Sequence, residues 1–253
     1  MKTTRDMALL FKRYSVENLR NPVWLVVGFS APLLYLLLFT PLVKHLPGPQ
    51  GIPANNVLNV FLPGILALLA FGSGLGPGFS TIFEVQTGVI ERFRVTPASR
   101  FAILMGPILS GMVMMFVFDA VLVAAGAWFG FGVHWAGLAV LTVLLGLFMV
   151  TMSAFSVATA LLTKDISSFA AIVNGLNLPV MLLAGVLLPI SFGPTWMRVL
   201  AHFNPLYYLV EASRALGNGV IRTSAVAQAF AVLVPLCALV LTWATNVFRR
   251  AVA

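Results

Sequence analysis

Charge is what this chain has least of. Only 9% of its 253 residues are Asp, Glu, Lys or Arg, and 7 of those are acidic. An average soluble domain carries about 25% charged residues. With 60% hydrophobic residues, too little polar surface remains to cover a water-soluble fold, and disorder is excluded by the same excess. Cysteine is nearly missing. Cys237 stands alone inside an apolar run, so a disulfide scaffold is excluded and the thiol reads as inert packing. The three histidines, His45, His134 and His202, are far apart and fit no metal-ligand spacing. Clustered acids that could hold Mg²⁺ for intramembrane prenyl transfer are also missing. A phosphate-cradling loop would read G-x-x-x-x-G-K-[ST]. The richest glycine stretch, Gly72, Gly74, Gly76 and Gly78, is followed by no lysine and has Pro77 five residues after Gly72. Gly28-Phe29-Ser30-Ala31-Pro32 departs from G-x-S-x-G. No residues on this chain are arranged to hydrolyse ATP or to perform nucleophilic catalysis.

What is abundant is long apolar sequence. A bilayer-spanning helix needs roughly 20 apolar residues. Uncharged or nearly uncharged runs cover 23–43, 57–83, 101–133 (interrupted by Asp119), 135–163, a stretch from 166, and 223–248. They are continuous and rich in Leu, Ala and Val, unlike the alternating short segments of an outer-membrane barrel. Helices are the remaining structure that satisfies every backbone group in lipid. The expectation is an all-α polytopic membrane protein with six transmembrane helices in one domain, 1–253. Residues 1–20 are polar and basic, with no pattern of a cleaved signal peptide.

The net charge of +8 reads as a topology signal rather than a nucleic-acid footprint. Lys2, Arg5, Lys12, Arg13, Arg20, Arg92, Arg94, Arg100, Lys164, Arg249 and Arg250 fall on one side of the predicted spans. Lys44, Arg198, Arg214 and Arg222 fall on the other, eleven against four. The richer side faces the cytoplasm by the positive-inside rule, and six spans put both termini there. Asn21-Pro22, Thr96-Pro97 and Asn204-Pro205 each pair a capping residue with proline at a first helical position. Gly217 follows as a C-terminal cap. The Pro/Gly-rich stretch 46–53 reads as an external loop. Gly72/Gly76, Gly74/Gly78 and Gly126/Gly130 have the four-residue spacing that lets membrane helices approach closely.

Three segments are neither span nor simple loop. In 4–20, Met7, Leu10, Phe11, Tyr14 and Asn18 recur at helical spacing, while Arg5, Lys12, Arg13 and Arg20 lie largely off that line. This is an amphipathic helix on the membrane surface, serving as a lipid anchor or as a contact for a partner. Residues 84–100, EVQTGVIERFRVTPASR, form a short charged connector between spans two and three. It concentrates Glu84, Gly88, Glu91, Arg92 and Arg94 in a chain otherwise poor in charge. In 182–222, Gly185, Pro189, Gly193 and Pro194 break the fifth span. Two short helices follow, about 194–202 and 205–216. Arg198, His202, Glu211 and Arg214 make further full spans expensive. Short helices dipping into the outer leaflet and tucked against protein fit better than the alternative, an ordinary external loop. Asp119 is the one acid inside a span, and such a residue is a functional candidate by default. If its helix enters the bilayer near Pro107, Asp119 lies about 18 Å in. If the helix enters at Arg100, Asp119 reaches the outer interface. A substrate contact, a proton site and an acid settled in helix packing all remain open.

GVIERFRVTPASR, residues 88–100, resembles the cytoplasmic connector of type-2 ABC exporter permeases, in particular the daunorubicin-resistance group. HFNPLYYLVEASRAL, residues 202–216, is similar to the segment before their last span. The resemblance covers essentially the whole chain. It implies a coupling helix over 84–94 that docks on an ATP-binding cassette subunit through Glu84, Gly88, Glu91, Arg92, Arg94, Thr96 and Pro97. It implies an interfacial helix carrying Met7, Leu10, Phe11 and Tyr14, and re-entrant helices over 194–216 with Asn204, Pro205, Glu211 and Arg214. ATP and Mg²⁺ would bind the partner subunit and not this chain. A second permease copy or a homologue would complete a dimer in the bacterial plasma membrane. The cargo would be a hydrophobic or amphipathic small molecule, as in multidrug efflux or antibiotic resistance. A proton-coupled secondary transporter using Asp119 is the alternative, and a membrane anchor or assembly factor is a third class.

Overall fold

A computed structural model describes residues 2–20, 22–44, 57–89, 100–186, 190 and 193–251. Among these residues there are nine α-helices and no strand. They are α1 (Lys2–Arg20), α2 (Pro22–Lys44), α3 (Val57–Gln86), α4 (Arg100–Trp128), α5 (Trp135–Thr163), α6 (Ile166–Leu183), α7 (Thr195–Ala201), α8 (Pro205–Gly217) and α9 (Ser224–Ala251). Five of them, α3, α4, α5, α6 and α9, are long and apolar enough to cross a membrane. The first predicted span, 23–43, falls on α2. Its described side chains form an apolar stretch over Gly28–Leu38.

Packing centres on α3 and α5, which lie against each other over much of their length. Lipid tails are as apolar as leucine, so close van der Waals fit drives association of such helices. The glycines on α3 show how this is achieved. A Cβ on Gly74 would stand 2.5 Å from the Met152 Cβ, and one on Gly78 would run into the Ser156 hydroxyl and the Phe169 ring. Ser156 instead donates to the Leu75 carbonyl at 2.8 Å. The predicted packing role therefore holds for the Gly74/Gly78 pair. Gly72 and Gly76 are exposed, and among the described residues nothing lies near their Cβ positions. Gly126 seats Leu62, whereas Gly130 lies beyond the end of α4 in a turn with φ +104°. The Gly126/Gly130 pairing expected from spacing is thus not a helix-packing face.

The helices collect at two ends. Leu10, Tyr14, Ile103, Ile108, Val157, Leu161, Val240 and Phe248 form a core that joins α1 to the first half of α4 and the last halves of α5 and α9. At the opposite end the Gly132 N–H donates to Asn59 Oδ1 at 3.1 Å. There His134 Nδ1 meets the Gly217 carbonyl at 3.2 Å. Trp128 and Trp135 are largely exposed at that end, as membrane-interface aromatics are. Helix α6 is the least embedded, with only Phe169 and Val173 buried. It follows α5 through two residues. Lys164 closes α5 in the left-handed region (φ 53°), and the Asp165 side chain caps α6 by accepting from the Ser168 N–H at 2.7 Å. The Ser167 hydroxyl and the Ser168 amide hold the Asp165 carboxyl down to about 2.

Candidate functional site

The site begins where the surface helix meets the end of the second predicted span. The sequence pattern of α1 turns Leu10 and Tyr14 inward, and both are buried. Gly106 on α4 supplies the seat, since a Cβ there would stand 2.9 Å from the Leu10 Cβ and 3.2 Å from the Tyr14 ring. The Tyr14 hydroxyl then reaches Glu84 and donates to Oε1 at 2.7 Å. Arg13 Nη2 lies 3.3 Å from the same oxygen, and its guanidinium stacks 5.3 Å from the Tyr14 ring centre. Burial, and then the Glu84 carboxylate, push the Tyr14 hydroxyl well above its ordinary value, so it remains a donor. Next to Tyr14 and one turn beyond it, Ser15 and the Asn18 amide meet the Ser110 hydroxyl at 3.2 and 3.1 Å. Met7 packs against this core, and Phe11 is half-buried.

Glu84 is therefore not on the connector. It lies in the last turn of α3, is 9% exposed, and is spent on α1. Directly after α3 ends at Gln86, the turn at Thr87 and Gly88 begins the connector. Gly88 has φ +70°, the left-handed conformation that glycine adopts freely. The Thr87 hydroxyl donates to the Phe83 carbonyl at 2.8 Å. Glu91, Arg92, Arg94, Thr96 and Pro97 lie outside the described residues, as do Asn21, His45, the loop 46–53 and Pro189. Ser110 and Gly106 were missed by sequence reasoning. Their signal was a serine and a glycine interrupting an otherwise apolar helix start.

The second assembly is at the opposite end. Asn204 caps α8, accepting from the Leu206 N–H at 3.0 Å with Pro205 at the first helical position. Its amide donates to the Val180 carbonyl of α6 at 2.7 Å. Arg214 is buried and donates to Glu211 at 2.9 Å, to the Gly185 carbonyl, and to the Val186 carbonyl at 3.3 Å. The guanidinium thus occupies carbonyls left open where α6 ends. Helix α8 ends on an Asn218 cap, with Gly219 at φ +79° against the His134 ring. The left-handed residue is Gly219 rather than the predicted Gly217, whose close approach to Pro63 explains its glycine instead. His202 stacks near Tyr207 and Tyr208 and bonds the Arg198 carbonyl through Nδ1 at 2.7 Å.

Asp119 is brought to neither assembly. It is 8% exposed in α4, and its carboxylate oxygens have no hydrogen-bond partner among the described residues.

Five apolar membrane-length helices, a basic helix locked to the foot of α3 and a pair of short helices before the last long apolar helix define a polytopic membrane protein. The chain belongs to the ABC-2 type transporter family, which it matches over residues 5–216. It is 31% identical over 214 residues to the transport permease ycf38 of Cyanophora paradoxa, an alignment covering 84% of this chain and 74% of that protein. It is 26% identical over 224 residues to the same-named protein of Pyropia yezoensis, covering 85% and 75%. It is 27% identical over 202 residues to the daunorubicin resistance ABC transporter permease protein DrrB1 of Streptomyces coeruleorubidus, covering 78% and 70%. Membership in this family implies partnership with an ATP-binding subunit.

Proposed function

We propose that this chain is the membrane-spanning subunit of an ATP-driven exporter. It pairs with a second copy or a homologue, and two ATP-binding subunits dock at the end that carries α1. ATP and Mg²⁺ are held by those subunits. The observation that carries this reading is the lock of Tyr14 and Arg13 on Glu84. It sits a few residues before the charged connector, so a push on the connector reaches α1, α3 and α4 together. Residues Glu91, Arg92, Arg94, Thr96 and Pro97 supply the docking surface, with Gly88 as its hinge to α3. On this reading α2 is a sixth span and both termini lie in the cytoplasm of a bacterial cell. The cargo path runs along the permease dimer interface by alternating access, with α7 and α8 closing its outer end. Few charges line the spans, which suits a hydrophobic or amphipathic small molecule, and one relative is named for daunorubicin resistance.

The test is recovery of an ATP-binding protein from gently solubilised membranes with the native chain and with the Glu91→Ala/Arg92→Ala variant. Recovery with the native chain and loss with the variant is expected. Failure to recover any ATP-binding protein with either overturns the reading. Asp119 favours one second reading, a proton-driven transporter, because a buried carboxyl group without a hydrogen-bond partner among the described residues is a candidate proton site. Under that reading Asp119→Asn abolishes transport and the Glu91→Ala/Arg92→Ala variant is tolerated. Under the exporter reading the ordering is reversed.

A further inference from the structure

Between α3, α5, α6 and α9 lies a cavity of about 220 Å³. Its walls are Phe71 and Leu75 of α3, Phe148 and Phe155 of α5, Val173 of α6 and Leu236 of α9, with Asn204 at one extremity. Four polar side chains border it, and each is turned to a backbone group. Thr151 donates to Leu147, Thr159 to Phe155 and Ser156 to Leu75, at 2.8 to 2.9 Å, and Asn204 donates to Val180 at 2.7 Å. The remaining surface is carbon. A water molecule needs two to four polar partners to settle in such a space, and a dry apolar cavity of about 150 Å³ is enough to hold benzene. The α5 wall extends from Phe148 to Thr159, roughly 16 Å at 1.5 Å per residue. A space of this volume drawn out over that length suits a linear guest better than a fused-ring one. Helices α6 and α9 make no extended contact with each other, and Ile172 and Leu176 of α6, which also line the space, are exposed apolar side chains.

We propose that the slot between α3, α5, α6 and α9 binds a single hydrocarbon chain, admitted from the bilayer between α6 and α9. The site lies within one subunit. It rests on the chain spanning a membrane and not on its exporting anything, so it stands or falls apart from the docking of an ATP-binding subunit.

The experiment uses the full chain reconstituted in phosphatidylglycerol vesicles. In one arm a phosphatidylglycerol bears a photoactivatable diazirine on its acyl chain. In the other a free fatty acid bears it. Labelled positions are read by mass spectrometry. Leu75 and Thr151 line the slot and are buried, whereas Val143 and Leu239 are exposed and serve as the annular reference. Label at Leu75 and Thr151 is expected. Leu236→Trp and Val173→Phe, which fill the slot from α9 and α6, remove it, and Leu239→Trp on the outer face of α9 keeps it. Label from the phospholipid arm identifies a bilayer lipid as the source, and label from the fatty-acid arm alone identifies a lipid-like solute. Both sustain the site. Label confined to Val143, Leu239 and other outward positions overturns it, as does slot label that persists in the filled variants. If both filled variants fail to fold, the distribution of label on the native chain decides.

Discussion

Tyr14 is the residue on which the α1 junction turns. Its hydroxyl is the shortest link to a carboxylate that is otherwise enclosed. Tyr14→Phe removes that donor and leaves Glu84 with Arg13, whose side chain is 42% exposed. A hydrogen bond to a charged group contributes about 1.5–3 kcal/mol, and thermal unfolding in mild detergent should register a loss of up to that size. Glu84→Gln keeps an acceptor for the tyrosine and should lose less. A double-mutant cycle of the two should show coupling, because both act on one hydrogen bond. The same residue sets a pH signature. Its folded value is raised from 10.0, chiefly by burial and then by Glu84. The folded state therefore holds the proton more tightly than the unfolded chain. The resulting stability is fully present below 10.0 and is lost as pH rises from there toward the raised folded value. Unfolding midpoints of the native chain should fall across that alkaline window, and Tyr14→Phe should lack this component. A native profile that stays flat there would show that Tyr14 is not held as the geometry has it.

At the scale of elements, the fit of α3 on α5 depends on which glycines face inward. Gly74→Ala drives a methyl to 2.5 Å from the Met152 Cβ and 3.3 Å from the Met149 carbonyl. Gly78→Ala also displaces the Ser156 hydroxyl from its bond to Leu75. Overpacking of this kind costs about 1–3 kcal/mol. Gly72→Ala meets nothing and relieves the entropic weakness of glycine in a helix, worth roughly 0.5–1 kcal/mol. Detergent unfolding of the three variants should therefore separate in sign. Equal losses in all three would mean that α3 is rotated from its described face. The four-residue spacing alone did not distinguish these pairs. Spacing states that two residues share a face, and only the neighbouring helix decides which face is covered. The same limit explains Glu84. Its charge drew it into the connector by composition, yet the inward line of α1 through Leu10 and Tyr14 was already visible, and what it met was not. Helix positions were legible because each long apolar run has one way to satisfy its backbone in lipid. The Asn204-Pro205 start was legible because capping chemistry is local. Arg214 was read as a charge that makes a span expensive. Its partners, the Gly185 and Val186 carbonyls, lie in a break whose geometry no local pattern specifies.

For the whole molecule, the two ends differ in kind. One gathers α1 with Arg5, Lys12, Arg13 and Arg20, the α5–α6 turn with Lys164, and the end of α9 with Arg249 and Arg250. The other gathers exposed Trp128 and Trp135, the start of α3 and the end of α8. A bilayer converts this asymmetry into orientation, since Lys and Arg near span ends are retained on the cytoplasmic side. The sole cysteine makes a direct test practical. Cys237 is buried, so Cys237→Ala provides a cysteine-free background with a small core loss. Thr87 at the foot of α3 and Asn218 at the end of α8 are both exposed and stand at opposite ends. In right-side-out vesicles, an impermeant maleimide should modify the Asn218→Cys chain at once and the Thr87→Cys chain only after permeabilisation. The reverse pattern would put α1 and the connector outside the cell. No cytoplasmic ATP-binding subunit could then reach them, and the export reading would fail together with the orientation.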